Sequence, residues 1–286
     1  MYKRLPSAEA EIVLEKGVNL TEVLPALLSS DEKLCFVSAG GDGSVHYLVN
    51  HLLTTPRNST QQVTLGAIGL GSSNDFLKPF GEKIRNIPVR INRSGGSFLH
   101  DVGVATYRDE AGCLQKKYFI VNASLGVTAQ ANSNFNNPGT TLKFLKKHFS
   151  SGAILYTAVS TILSHKNTPF HLKYNDTELM VSISNINILK LPYVSGSFFY
   201  NQDISRDDGQ LGLNVCMNMT KRELLYVLGK LQKGKFPAFE KTISVFTNNV
   251  SLTADESFVF ECDGETEKAT SLHVTILPNA LSVLKS

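Results

Sequence analysis

Short apolar runs that stop at glycine, followed by apolar residues at helical spacing, organise the first hundred residues. Residues 34–37 form one such run, and Val45, Leu48, Val49, Leu52 and Leu53 then recur on one helical face. The order predicts strand, tight loop, helix. Residues 63–68 predict a second strand, again followed by glycines and then by a short helix-like stretch around Phe76 and Leu77. A repeated unit of this kind predicts a parallel sheet with crossover helices.

Beyond about Asn92 the period changes. Ser94-Gly95-Gly96-Ser97 marks a hinge, and residues 118–123, 171–174, 179–184, 211–216, 242–247, 258–262 and 272–277 read as short strands. Asn175-Asp176 and Asp208-Gly209 supply turns between them. Many short strands with turns predict a β-sandwich, interrupted by helices near 141–164 and 221–231. The pattern therefore predicts an α/β domain over residues 1–96 followed by a β-sandwich-rich domain over 97–278.

The 286-residue length agrees with two cores, since single cores rarely grow that large. With 42% hydrophobic and 19% charged residues the chain is an ordinary globular mixture. A formal charge of +3 without a run of five like charges argues against nucleic acid as a partner and leaves room for an anionic surface. Cys35, Cys113, Cys216 and Cys262 show no metal or redox spacing and read as buried thiols of a reducing compartment. The start of the chain lacks the apolar core of a signal peptide, and no segment reaches the ~18 apolar residues of a membrane span. The expected location is cytoplasmic, and a lipid substrate would be met by transient peripheral contact with the membrane. A homodimer is compatible with all of this.

Gly40-Gly41-Asp42-Gly43-Ser44 joins a strand to a helix, so its backbone N–H groups can cradle phosphate oxygens at a helix N-terminus. Asp42 would repel a phosphate directly, which calls for magnesium or water between them. The loop has no P-loop lysine, and a plain glycine-rich turn is the alternative reading. Gly69-Leu70-Gly71-Ser72-Ser73-Asn74-Asp75-Phe76 repeats the arrangement, with Ser73 or Asn74 as an ordinary helix cap the alternative. Alone, Asp207-Asp208-Gly209 reads as a solvated turn and Asp263-Gly264-Glu265 as a hairpin turn. Seven histidines show no zinc-like spacing. Lys143, Lys146, Lys147 and His148 beside Leu142, Phe144 and Leu145 form an amphipathic helix, a solvated face or a contact for anionic lipid.

Taken together, these motifs resemble the diacylglycerol kinase catalytic family, which includes bacterial lipid kinases and sphingosine and ceramide kinases. Gly40-Gly41-Asp42-Gly43-Ser44 is similar to the family's GGDGT, Gly71-Ser72-Ser73-Asn74-Asp75-Phe76 to GTGNDF, Asp207-Asp208-Gly209-Gln210-Leu211 to DDGxL, and Asp263-Gly264-Glu265 is its DGE. The order is the family's order. Asp101-Val102-Gly103, Asn122-Ala123-Ser124-Leu125-Gly126 and Leu277-Pro278-Asn279-Ala280-Leu281 are weaker landmarks.

The resemblance implies a two-domain lipid kinase fold, related to NAD kinase, with a cleft between the domains and residues 279–286 returning to the first. It implies ATP with Mg2+ as the phosphoryl donor and a diacylglycerol-like or sphingoid lipid as acceptor. Gly40, Gly41, Asp42, Gly43, Ser44, Gly71, Ser72, Asn74 and Asp75 inherit the nucleotide site, with Asp42, Asp263 and Glu265 the catalytic carboxylates and Glu265 the base. A structural magnesium ion falls to Asp208 with the carbonyls of Ser205 and Gln210. The chain departs from the family by lacking its Asn-Pro-x-Ser-Gly stretch, by His46 and Tyr47 where Asn and Glu are usual, and by Gly69 in place of Pro. These departures keep two rivals in view, a soluble-substrate kinase of NAD kinase type and a noncatalytic lipid-binding homologue.

Overall fold

The computed structural model describes residues 18–29, 33–56 and 63–285. The first lobe contains α1 (Leu20–Leu28), β1 (Leu34–Gly40), α2 (Asp42–Thr54), β2 (Val63–Gly69), a 3-10 turn at Asp75–Leu77, β3 (Lys83–Ile84) and β4 (Ile87–Arg90). Its apolar spacing places Val45, Leu48, Val49 and Leu52 on the buried side of α2, as the periodicity predicts. β1 and β2 pair in parallel from Leu34↔Val63 to Gly40↔Gly69, with α2 as the crossover.

The second lobe runs through β5 (Ser97–Arg108), β6 (Leu114–Phe119), β7 (Asn122–Gly126), α3 (Val127–Asn136), α4 (Thr140–His148), α5 (Ser150–Ser164), β8 (Thr168–Tyr174) and β9 (Thr177–Leu189). It continues through β10 (Tyr193–Val194), β11 (Phe198–Phe199), β12 (Leu211–Met217), α6 (Lys221–Leu231), β13 (Thr242–Thr247), β14 (Asn249–Cys262) and β15 (Glu265–Leu284). Strands β7, β9, β12, β13 and β14, with β5, β6 and β8, enclose a core that includes Phe119, Ile186, Leu213, Val250 and Phe260. β15 spans both lobes. It pairs with β14 and β5, shifts register between Leu277 and Leu281, and then aligns Ser282 with Thr64 of β2 in parallel. A second core follows it across the junction, where Val102, Ile120, Val121 and Leu191 join Leu65, Phe76 and Val283.

Three local expectations change. The strand expected over 118–123 is interrupted at Ile120-Val121, whose amides turn away from the ladder toward Asp263. The helix expected over 141–164 breaks at Phe149, and the Phe149 ring lies where a Cβ on Gly152 would sit. Only two cysteines are buried, Cys216 and Cys262; Cys113 is exposed on the β5–β6 turn and Cys35 is half-buried. Among the described residues no helix is long and apolar enough to cross a membrane.

Candidate active site

The in-register pairing of β1 and β2 delivers both glycine loops to the same end of the sheet. They touch backbone to backbone: a Cβ on Gly71 would lie 2.4 Å from the Gly41 Cα, and one on Gly41 would lie 3.0 Å from the Gly71 Cα. Only glycine permits that approach. Asp42 then locks the pair, its Oδ2 accepting from Asp75 N–H at 3.0 Å and its Oδ1 from Phe76 N–H at 3.0 Å. Each carboxylate oxygen of Asp42 is thus engaged by the second loop. Burial, with Asp75 nearby, pushes the Asp42 carboxyl up to about 6, against the pull of the two amides.

Within the second loop Asn74 adopts a left-handed conformation, φ 51°, and its Oδ1 accepts from Gly71 N–H at 3.0 Å. Asp75 is buried, accepting from Lys78 Nζ at 2.7 Å and from Gly196 N–H of the second lobe at 2.8 Å. Asn74 and Asp75 therefore shape the loop and tie it across the cleft. Ser44 is exposed over Gly40, and Gly41, Gly43, Gly71 and Ser72 line the cleft. The N-terminus of α2 has no side-chain cap, which leaves its first turn suited to an anion.

The opposite wall comes from the hairpin between β14 and β15. Asp263 and Gly264 both have positive φ, 49° and 93°, as an Asp-Gly hairpin turn requires. Turn and site coincide here. The Asp263 carboxylate accepts three successive amides, Ile120 at 3.0 Å, Val121 at 2.9 Å and Asn122 at 3.1 Å, and lies 3.1 Å from His46 Nδ1. So many partners make Asp263 a fixed brace. Glu261, fully buried beside it, accepts from Asn122 Nδ2, Ser124 Oγ and Gly264 N–H, each at 2.6 Å. Burial raises the Glu261 carboxyl to about 7 despite those donors. Glu265 is exposed, and its Oε1 faces the first loop, 3.2 Å from where a Cβ on Gly43 would stand.

One cavity of about 290 Å³ joins these walls. Its polar end holds Gly41, Gly71, Ser72 and Glu265; its other end runs between α3, α5 and α6, against Val127, Phe135, Ala158, Ile162 and Leu224.

The sequence profile described as the diacylglycerol kinase catalytic domain matches residues 6–95, and that of the YegS C-terminal NAD kinase beta sandwich-like domain matches residues 122–285. The chain belongs to the diacylglycerol kinase catalytic family, with the YegS type of second domain. A protein of Staphylococcus aureus (strain Newman) named "Putative lipid kinase" is 23% identical over 257 residues, covering 90% of this chain and 78% of its own. A relative from Staphylococcus haemolyticus with the same description is 24% identical over 257 residues, covering 90% and 77%. The crystal structure of a diacylglycerol kinase from Bacillus anthracis superposes with a TM-score of 0.63 at 15% identity, covering 96% of this chain and 83% of that one, a likeness of fold.

In this diacylglycerol kinase family member two of the three oxygens expected to hold a structural magnesium ion, those of Asp208 and Gln210, hold a side chain instead. Lys190 Nζ donates to Asp208 Oδ1 at 2.8 Å, to the Gln210 carbonyl at 2.8 Å and to Asp101 Oδ2 at 3.0 Å. Ser205 is engaged within the turn, its N–H reaching Asp208 Oδ2 at 3.4 Å and its Oγ donating to Asp207 Oδ1 at 2.8 Å. A magnesium ion needs those oxygens at about 2.0–2.1 Å, which the ammonium between them forbids. The residues do not fit the metal. Lys190 and Glu261 left no sign in the sequence because most of their partners lie far along the chain, and His46 showed only as a departure from the family; Asp101 and Asn122 were visible only as weak landmarks.

Proposed function

We propose that the protein is a lipid kinase, moving the terminal phosphoryl group of ATP, as its magnesium complex, to a lipid hydroxyl. The observation that carries the reading is one continuous cavity, polar beside the glycine loops and apolar between α3, α5 and α6. Phosphates would rest on the amides of the first loop and on Gly71 and Ser72, with magnesium arriving as part of the nucleotide. A lipid chain in the apolar end would bring its hydroxyl to Glu265. The carboxylate takes the hydroxyl proton, the oxygen bonds to the terminal phosphorus, and the bond to the bridging oxygen of ADP breaks. Asp42 and Asp263 hold the two walls in register for that transfer.

Contact with the bilayer would fall to the helix pair above the chamber. Phe144 and Phe149 are 66% and 65% exposed, flanked by exposed Lys143 and Lys147, whereas Lys146 turns inward to the Phe135 carbonyl at 2.9 Å. A soluble acceptor such as NAD gives the apolar chamber nothing to do. The deciding experiment is a labelled-ATP assay against dispersed diacylglycerols, sphingoid bases and NAD. Label in a lipid is expected; label in NAD and in no lipid overturns the reading.

A further inference from the structure

Lys190 lies at the end of β9, with its side chain entirely buried. An ammonium has three protons to give, and all three are used on Asp101 Oδ2, Asp208 Oδ1 and the Gln210 carbonyl. Its charge meets two carboxylates, one buried and one 27% exposed. Asp101 is held from further directions by Gly209 N–H at 2.8 Å and by Asn279 N–H, on the register shift of β15, at 2.8 Å. Burial opposes the charge on Asp101, yet the Asn279 amide, the Lys190 ammonium and the Gly209 amide hold its carboxyl below the usual value. One nitrogen thus gathers β5, β9 and the 201–210 loop, and Asp101 extends the tie to β15. The same strand end is tied to the active site, because Lys190 N–H and Leu191 N–H both bond the Val121 carbonyl while Val121 N–H bonds Asp263.

We propose that Lys190 is a tethered cation that stands in for a divalent metal at the lobe junction, so that this chain is independent of metal at Asp208. A covalently held ammonium supplies positive charge without a binding equilibrium, and it answers the same two oxygen donors that a hard cation would use. Removing it leaves two carboxylates and a carbonyl around a space the size of an ion. The wild type has a filled site, and the variant has a vacant one.

The test compares thermal unfolding of nucleotide-free protein in EDTA and in millimolar Mg2+ or Ca2+. Wild type unfolds at the same temperature in all three. Lys190→Ala unfolds roughly 10 °C lower in EDTA, the expected scale for stranding a buried carboxylate in a domain of this size. It recovers part of that loss saturably with Mg2+ or Ca2+, and Lys190→Ala combined with Asp208→Asn does not. A saturable metal stabilisation of wild type that Asp208→Asn abolishes overturns the proposal, as does a Lys190→Ala protein as stable as wild type. Should Lys190→Ala fail to fold in EDTA, the wild-type comparison still decides. These readouts need no catalysis, so they stand apart from the outcome of the lipid assay.

Discussion

The Asp42 carboxylate reaches out of the first glycine loop to accept the backbone N–H of Phe76 in the second, Oδ1 to N 3.0 Å. Its other oxygen takes the neighbouring amide of Asp75. Asp42→Asn keeps one acceptor and turns an NH2 toward the other amide, which costs about 1–3 kcal/mol where that amide stays buried. The loops should splay, and binding of ADP without metal should weaken along with binding of magnesium-ATP. Calorimetry on both ligands separates this brace from a metal ligand, for which only the magnesium complex would suffer.

Glu265 shares no such network. With the first loop opposite, Glu265→Gln should bind ATP as wild type does and lower phosphoryl transfer by roughly a hundred- to ten-thousand-fold, the usual worth of a general base. Rates at saturating ATP with nucleotide affinity measured in parallel check this. Undiminished turnover would remove Glu265 from the chemistry.

Glu261 gives a stability test. Its carboxyl sits at about 7 in the fold against 4.5 for an unperturbed side chain, chiefly through burial. Between those values the unfolded chain has released a proton that the folded chain keeps, so raising the pH through this window favours unfolding, and the loss levels off above about 7. The scale is roughly 3 kcal/mol at about 1.4 kcal/mol per unit. Relative to Glu261→Gln, wild type should therefore be more stable at pH 4.5 than at pH 7.5 by that order. Denaturant unfolding of both proteins at the two pH values is the measurement, and a difference independent of pH would refute the assignment.

What could be read in the chain were features imposed locally. Glycines at a strand end are demanded by the approach of Gly41 to Gly71, and the positive φ of Asp263 and Gly264 is legible in the Asp-Gly pair itself. Lys190 left no such mark: it directly follows the last residue of β9, between Leu189 and Leu191, and its partners Asp101 and Asp208 are 89 and 18 residues away. His46 was noticed only as a departure from the family, although its ring contacts Asp263 from 217 residues off. α3, with the polar sequence Val127-Thr-Ala-Gln-Ala-Asn-Ser-Asn-Phe-Asn136, carries too weak a period to predict a helix and owes its order to packing against α5 and β7.

The α4–α5 face should matter only when the lipid is in a bilayer. Phe144→Ser with Phe149→Ser removes two exposed rings, and Lys147→Glu reverses an exposed charge. On anionic vesicles activity should drop at least tenfold, while a short-chain acceptor in solution should be phosphorylated at the wild-type rate. Vesicle sedimentation read beside both assays checks it, and equal loss on the two substrates would assign the face to folding.

Ala158 is buried on α5 and lines the apolar part of the cavity, so a larger side chain there must grow into the space proposed for the lipid chain. Ala158→Leu adds three carbons. If they displace as many methylenes of the lipid, at about 0.8 kcal/mol each, affinity for a long-chain acceptor falls roughly fiftyfold. An acceptor with a four-carbon chain, which leaves that end of the cavity empty, should keep its KM, and so should ATP. The extra carbons fill a void, so thermal stability should hold or rise, which distinguishes a blocked chamber from a damaged core. Steady-state KM values across a chain-length series give the answer. A uniform loss over all chain lengths would mean that the lipid lies elsewhere.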